Sequence, residues 1–284
     1  MYTTLSVYTE EQDVHVIAEG GPVVAVTSLG YGIYVLKPER RNQVEVYDVV
    51  TERLQRRLTV PNTHGRFADM TSCEHHLCVY ISAHIDECVH RVDLDGEVLA
   101  WAVEGKPCGL SVNKAHHLLV TCADYSQIKE FSSHGDYIRR VILPCEVVNP
   151  WHAIQLTKGQ FVVCHGAEND IVHRVCVMSY KGFFKSKIVH SHGGLRGSDN
   201  GQHNVPSHLA VDDNEFVFVA DVINRRVTLL TPTLKDIRQV VSRDKRSWRP
   251  RRLHFDSRRR RLYVAENQTN DNMIPSGRVV VFSV

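Results

Sequence analysis

The stretch Ser242-Arg-Asp-Lys-Arg-Ser-Trp-Arg-Pro-Arg-Arg252 gathers Arg243, Lys245, Arg246, Arg249, Arg251 and Arg252 around one indole, Trp248. Cations beside an exposed aromatic ring can stack on bases while neighbouring charges hold phosphates. The same charges would also grip an acidic protein segment. Arg225 and Arg226 lie close in register, and Lys37, Arg40 and Arg41 occupy the comparable loop of an earlier unit. The bland alternative is a solvated basic loop with Trp248 packed between sheets. Histidines form a second constellation. His152, His208 and His254 fall at or near the first strands of three separate units, and His152 and His208 each come two residues after a proline. Imidazoles converging on an axis could hold zinc with a position left open for catalysis. Calcium would need several acidic side chains on the same strands, and only Asp69 is expected there. Asp124, Asp212 and Asp221 end strands, where carboxylates tie turns. Arg258-Arg-Arg-Arg261 belongs to a loop on the opposite face and is expected to be solvated. No GxSxG elbow, P-loop or HExxH is present.

These residues need a scaffold, and a repeat supplies it. Pro22, Pro107, Pro150, Pro206 and Pro250 each open a short apolar run, with Gly65 in the remaining slot, at intervals of 43, 42, 43, 56 and 44 residues. First strands follow at Val23 to Val26, Phe67 to Thr71, Gly109 to Val112, Ala153 to Leu156, Leu209 to Val211 and Leu253 to Phe255. A period of about 40 to 45 residues with four short strands per unit indicates propeller blades. The expectation is an all-β, six-bladed propeller forming a single domain over 1–284, with blades at about 22–60, 65–103, 107–143, 150–190, 205–241 and 250–284. Alternation in Gln43-Val-Glu-Val-Tyr47 and Arg226-Val-Thr-Leu-Leu230 fits half-buried antiparallel strands. Turn residues stand at Asp95-Gly96, His134-Gly135 and Lys181-Gly182. The last blade supplies only three strands, so Val14 to Ala18, within 13–18, is expected to complete it and remove two sheet edges.

The net charge of +2 conceals an asymmetry: residues 225–284 carry 15 Lys and Arg against 5 Asp and Glu. One side of a closed ring should therefore be basic. No apolar run approaches the roughly 20 residues that span a bilayer, and the first residues lack the pattern of a secretory signal. Eight cysteines form no CxxC pair, and Cys122 and Cys164 occupy equivalent strand positions where later blades carry valine. That pattern suits small buried hydrophobes and a reduced, cytoplasmic protein.

The fifth unit is the most specific: Gly193-Gly-Leu-Arg-Gly-Ser-Asp-Asn-Gly-Gln-His-Asn-Val-Pro-Ser-His-Leu-Ala-Val-Asp212, then Phe216-Val-Phe-Val-Ala-Asp221 and Asn224-Arg-Arg-Val227. It resembles the NHL repeat, with a GQ lead-in, an N-x-P opening, a V-A-D second strand and N-x-R-V. Lys106-Pro-Cys-Gly-Leu-Ser-Val112 with Leu119-Val-Thr-Cys-Ala-Asp124, and Tyr263-Val-Ala-Glu266 with Gly277-Arg-Val-Val280, match more loosely. The resemblance implies a six-bladed propeller like the C-terminal domain of tripartite-motif proteins, which binds proteins or RNA. The chain has no Cys/His spacing for a RING or B-box and no heptad run. It reads as a free-standing propeller or a piece of something longer. The expected role is a monomeric, non-catalytic platform for a protein or single-stranded RNA, with no membrane partner and no cofactor. The competing reading is an axial-histidine, zinc- or calcium-dependent lyase or hydrolase. A zinc-dependent amidating lyase of this shape carries Pro-His, where this chain has Pro150-Trp-His152 and Pro206-Ser-His208.

Overall fold

The computed structural model describes residues 14–37, 43–60, 67–180, 186–235, 237–242, 248–269 and 275–284. Among them the regular structure is entirely β, arranged as six four-stranded sheets. Each sheet is a meander whose first strand is innermost. These inner strands are Ala25–Leu29, Phe67–Cys73, Pro107–Val112, Pro150–Gln155, Pro206–Val211 and Arg249–Asp256. Each touches the next, and the sixth returns to the first, so the ring is closed. The N-terminal strand Val14–Gly20 pairs antiparallel with Pro275–Ser283, from Val14↔Phe282 to Gly20↔Gly277, and completes blade six.

The core lies between blades, because each sheet buries both faces against its neighbours. Phe218 of blade five stacks on Phe255 of blade six at 5.5 Å, within a cluster that includes Leu253, Leu262 and Val264. Fully burying one such side chain contributes about 1.5–3 kcal/mol. All eight cysteines are free, and Cys122 and Cys164 are fully buried among valines and leucines. No helix among the described residues is long and apolar enough to cross a membrane.

One irregularity recurs. In five inner strands the register slips within the first residues: Phe67/Asp69, Pro107/Gly109, Pro150/His152, Pro206/His208 and Pro250/Arg252. Such bulges re-aim side chains, and they accommodate proline, which cannot donate to the ladder. The register also corrects the repeat in blade two. Phe67, not Gly65, occupies the slot of the prolines, and Gly65 lies outside the described residues, as does the Lys181-Gly182 turn. The inner strand of blade one starts later than expected, at Ala25, and those of blades three to six start earlier, at Pro107, Pro150, Pro206 and Arg249.

Candidate functional site: an arginine funnel above an axial plug

Because the same bulge recurs, Asp69, Gly109, His152, His208 and Arg252 arrive at one level around the axis. Asp69 is fully buried and is the hub of that level. Its Oδ2 accepts hydrogen bonds from the Leu110 amide at 2.8 Å and from His208 Nε2 at 3.2 Å. Its Oδ1 accepts from Arg252 Nε at 3.0 Å, while Arg252 Nη2 donates to the Ala68 carbonyl. The His152 and His208 rings stack at 3.8 Å. Gly109 is glycine for a steric reason, since a Cβ there would strike the Trp151 carbonyl oxygen and the backbone of His152. Burial alone would raise the Asp69 carboxyl, but His208 and Arg252 hold it well below the usual carboxylate range.

Asp69, His152 and His208 bring one potential metal-ligand atom each to within 4.8 Å of one another. Their hydrogen bonds decide whether a cation fits. His208 Nδ1 accepts the Leu253 amide at 3.2 Å, so its Nε2 carries the proton that it donates to Asp69. His152 Nε2 faces the Leu110 carbonyl at 2.9 Å and must likewise be N–H. Burial, followed by the proximity of His208, pushes His152 down to about 3, and burial also lowers His208, so both rings are neutral near pH 7. Both Nε2 atoms are therefore donors without a free lone pair; the one free imidazole lone pair is on His152 Nδ1, buried and without a hydrogen-bond partner among the described residues. Both Asp69 oxygens already accept hydrogen bonds. The trio does not suit zinc in this arrangement, and one carboxylate does not suit calcium, which takes six to eight oxygens. His254 lies deeper, bonded through Nε2 to Ser28 Oγ at 2.8 Å, and burial lowers it to about 4.

The plug separates two cavities on the axis. Below it, a space of about 210 Å³ is lined by His152, His208 and His254. Above it, a funnel of about 860 Å³ opens on the face formed by the loops that join successive blades. The residues inside the five bulges, Ala68, Cys108, Trp151, Ser207 and Arg251, form the funnel floor. Arg225, Arg249, Arg251 and Arg252 all line this cavity, against one carboxylate among the described residues, Glu168. Among the described residues the guanidiniums of Arg225, Arg249 and Arg251 have no hydrogen-bond or ion-pair partner, whereas Arg252 is held by Asp69. Burial, then the like charges of Arg252 and Arg249, lower the Arg251 pKa.

The remaining candidates are placed elsewhere. Arg226 lines a separate crevice, donates to Asp221 at 2.9 Å and to the Gln202 carbonyl at 2.6 Å, and holds its own blade together. Lys37 is buried against Glu45 at 2.9 Å. Trp248 packs within blade six, with the Arg278 guanidinium 4.1 Å from its ring centre, and Arg278 in turn grips Glu266. Arg40, Arg41, Arg243, Lys245 and Arg246 lie outside the described residues. In the opposite-face run, only Arg258 and its partner Glu74 are well exposed, because Arg259 pairs with Asp256 and also donates to the Gly30 carbonyl. Asp212 ties its turn by accepting the Asn214 and Phe216 amides. Sequence reasoning placed Glu168 on this loop face but missed Trp151 and Phe67 as funnel walls, since nothing local marks a residue that meets its neighbours only across the ring.

No protein-family model and no curated protein sequence matches the chain. In three dimensions it is similar to virginiamycin B lyase from Staphylococcus aureus, with a TM-score of 0.64 and 9% identity over 96% of this chain and 100% of that one. It is similar also to a putative gluconolactonase, with a TM-score of 0.69 and 13% identity over 98% of this chain and 94% of that one. The β-propeller domain of Myceliophteria thermophila Cps50 gives a TM-score of 0.59 and 10% identity over 92% and 83% of the two chains. At such identities the likeness speaks for shape alone. The chain is a six-bladed β-propeller.

Proposed function

We propose that this protein is a non-catalytic binding platform whose funnel holds an acidic segment of a protein partner. The observation that carries this reading is the trio of guanidiniums, Arg225, Arg249 and Arg251, unpaired among the described residues in a cavity whose described lining holds a single carboxylate. By contrast, Arg226, Arg252, Arg259 and Arg278 of the same two blades each meet an acid. Unmatched charge crowded into one concavity is a standing demand for an anion. The NHL-like signature of blade five accords with a platform role. RNA is the weaker partner class. Single strands run along open grooves over successive exposed rings, whereas this cavity ends at the plug and the Trp248 ring is covered on one face by Arg278.

The test is fluorescence anisotropy with an eight-residue Asp/Glu peptide and with octauridylate, between 50 and 200 mM salt. The peptide should bind, and Arg249→Ser/Arg251→Ser should weaken it at least tenfold, since each charge-assisted contact is worth about 1.5–3 kcal/mol. Peptide affinity unchanged in the double variant would refute the reading. Tighter binding of octauridylate, with a steep salt slope lost in that variant, would replace the protein partner by RNA. The enzymatic alternative draws on the 4.8 Å convergence of Asp69, His152 and His208. Stoichiometric zinc or calcium after dialysis, lost in His152→Ala, would favour it.

A further inference from the structure

The funnel wall is divided into two halves. In a six-membered ring, blades five and six stand opposite blades two and three. The unpaired cations Arg225, Arg249 and Arg251 all come from blades five and six, whereas the facing wall is built from Phe67, Ala68 and Cys108, with His84 in the loop beyond them. At the floor, Arg251 sits in the same ring of bulge residues as Ala68, Cys108 and Trp151. A ligand reaching the floor therefore meets a guanidinium on one side and apolar surface on the other. The floor itself is sealed by the Asp69–Arg252–His208 hydrogen bonds.

From this geometry we infer that the occupant enters end-on, presenting the C-terminal carboxylate of a protein partner to Arg251 and an apolar last side chain to Phe67, Ala68 and Cys108. This rests on the acidic-segment reading and narrows it. An internal Asp or Glu would bring two flanking peptide chains down to a closed floor. Their amides and carbonyls would lose water there against apolar walls, and an unpaired buried polar group is costly. A chain end brings only one strand of backbone. It carries its charge on the atom adjacent to the last side chain, which matches cation and apolar wall facing one another across a single level. The volume of about 860 Å³ falls within the range of pockets that enclose drug-sized ligands. That leaves room for several residues behind the terminus, and acidic ones would meet Arg225 and Arg249 higher on the wall.

The experiment compares three N-terminally labelled probes of the same acidic sequence: one ending in leucine with a free carboxylate, one ending in leucine amide, and one ending in serine with a free carboxylate. Amidation should weaken binding at least tenfold, and the serine ending about threefold to tenfold. In Arg251→Ser the free and amidated peptides should bind alike, with thermal unfolding confirming that the variant is folded. Equal affinity of free and amidated peptides for the parent protein would overturn the end-on inference while leaving the acidic-segment reading intact. Loss of binding by all three probes would remove both. Displacement of the peptide by N-acetyl-leucine at equal concentration would show that a small acid suffices, and would overturn the assignment to a protein terminus.

Discussion

Replacing Asp69 by asparagine tests whether the plug holds the ring together at its axis. The carboxylate accepts from Leu110, His208 and Arg252 at 2.8, 3.2 and 3.0 Å. An asparagine oxygen can serve the Leu110 and His208 donors, but its amide then points N–H at the N–H of Arg252. Arg252 has a side chain only 11% exposed and would keep its charge without a counterion. Removing one member of a buried pair costs about 3–5 kcal/mol. For a domain of this size, each kcal/mol moves Tm by roughly 2–4 °C, so Asp69→Asn should melt at least about 6 °C lower, followed by circular dichroism. Arg252→Met alone strands the carboxylate and should also destabilise. The double variant should lose less than the sum of the two, with a coupling of at least about 1 kcal/mol. A Tm for Asp69→Asn within 2 °C of the parent, or strict additivity in the cycle, would refute the reasoning.

The histidines predict acid sensitivity. His152 and His165 are almost fully buried, and burial lowers them to about 3 and about 4. Below pH 6.5 the unfolded chain takes up protons that the folded one refuses, so stability falls as pH falls towards 4. From pH 6.5 to 5 each group should cost about 2 kcal/mol, visible as a lower urea midpoint; an identical midpoint at pH 7 and 5 would contradict this. The closing strand gives another prediction. Removing residues 1–20 strips the partner of Pro275–Ser283, exposes the surface covered by Ile17 and Ala18, and removes the Glu19 carbonyl that Lys37 bonds. A loss of at least about 3 kcal/mol should follow, and an unaltered melting curve would show that the strand contributes nothing.

Much of this architecture is legible in the sequence because the propeller's period is punctuated by proline. Where punctuation fails, so does the reading: blade two has no proline, and counting from Gly65 hides the equivalence of Asp69 with His152 and His208. Arg252 shares the same offset from Pro250, yet within a run of arginines nothing distinguishes the cation that faces Asp69 from the one that faces the funnel. The pairing of Arg226 with Asp221 is nearer to hand, five residues apart at a strand turn. The burial of Lys37 under Glu45 follows only once the hairpin is folded. The apolar wall of Phe67, Ala68 and Cys108 acquires meaning from what stands across the ring, a relation that no local pattern encodes.

The recurrent bulge also separates two properties that are usually entangled at a binding site. In each of five blades it sets one residue on the funnel floor and the next in the plug: Ala68 over Asp69, Cys108 over Gly109, Trp151 over His152, Ser207 over His208 and Arg251 over Arg252. The lower residues exchange hydrogen bonds with one another and with the backbone, so their replacement strands buried partners and registers as lost stability. Arg251 makes no such bond with its side chain among the described residues. Its replacement should relieve like-charge crowding with Arg249 and Arg252 and leave the melting temperature level or slightly raised. Specificity can therefore vary at Arg251 without disturbing the lower ring, whereas Cys108, Trp151 and Ser207 are tied to backbone carbonyls and belong partly to the scaffold.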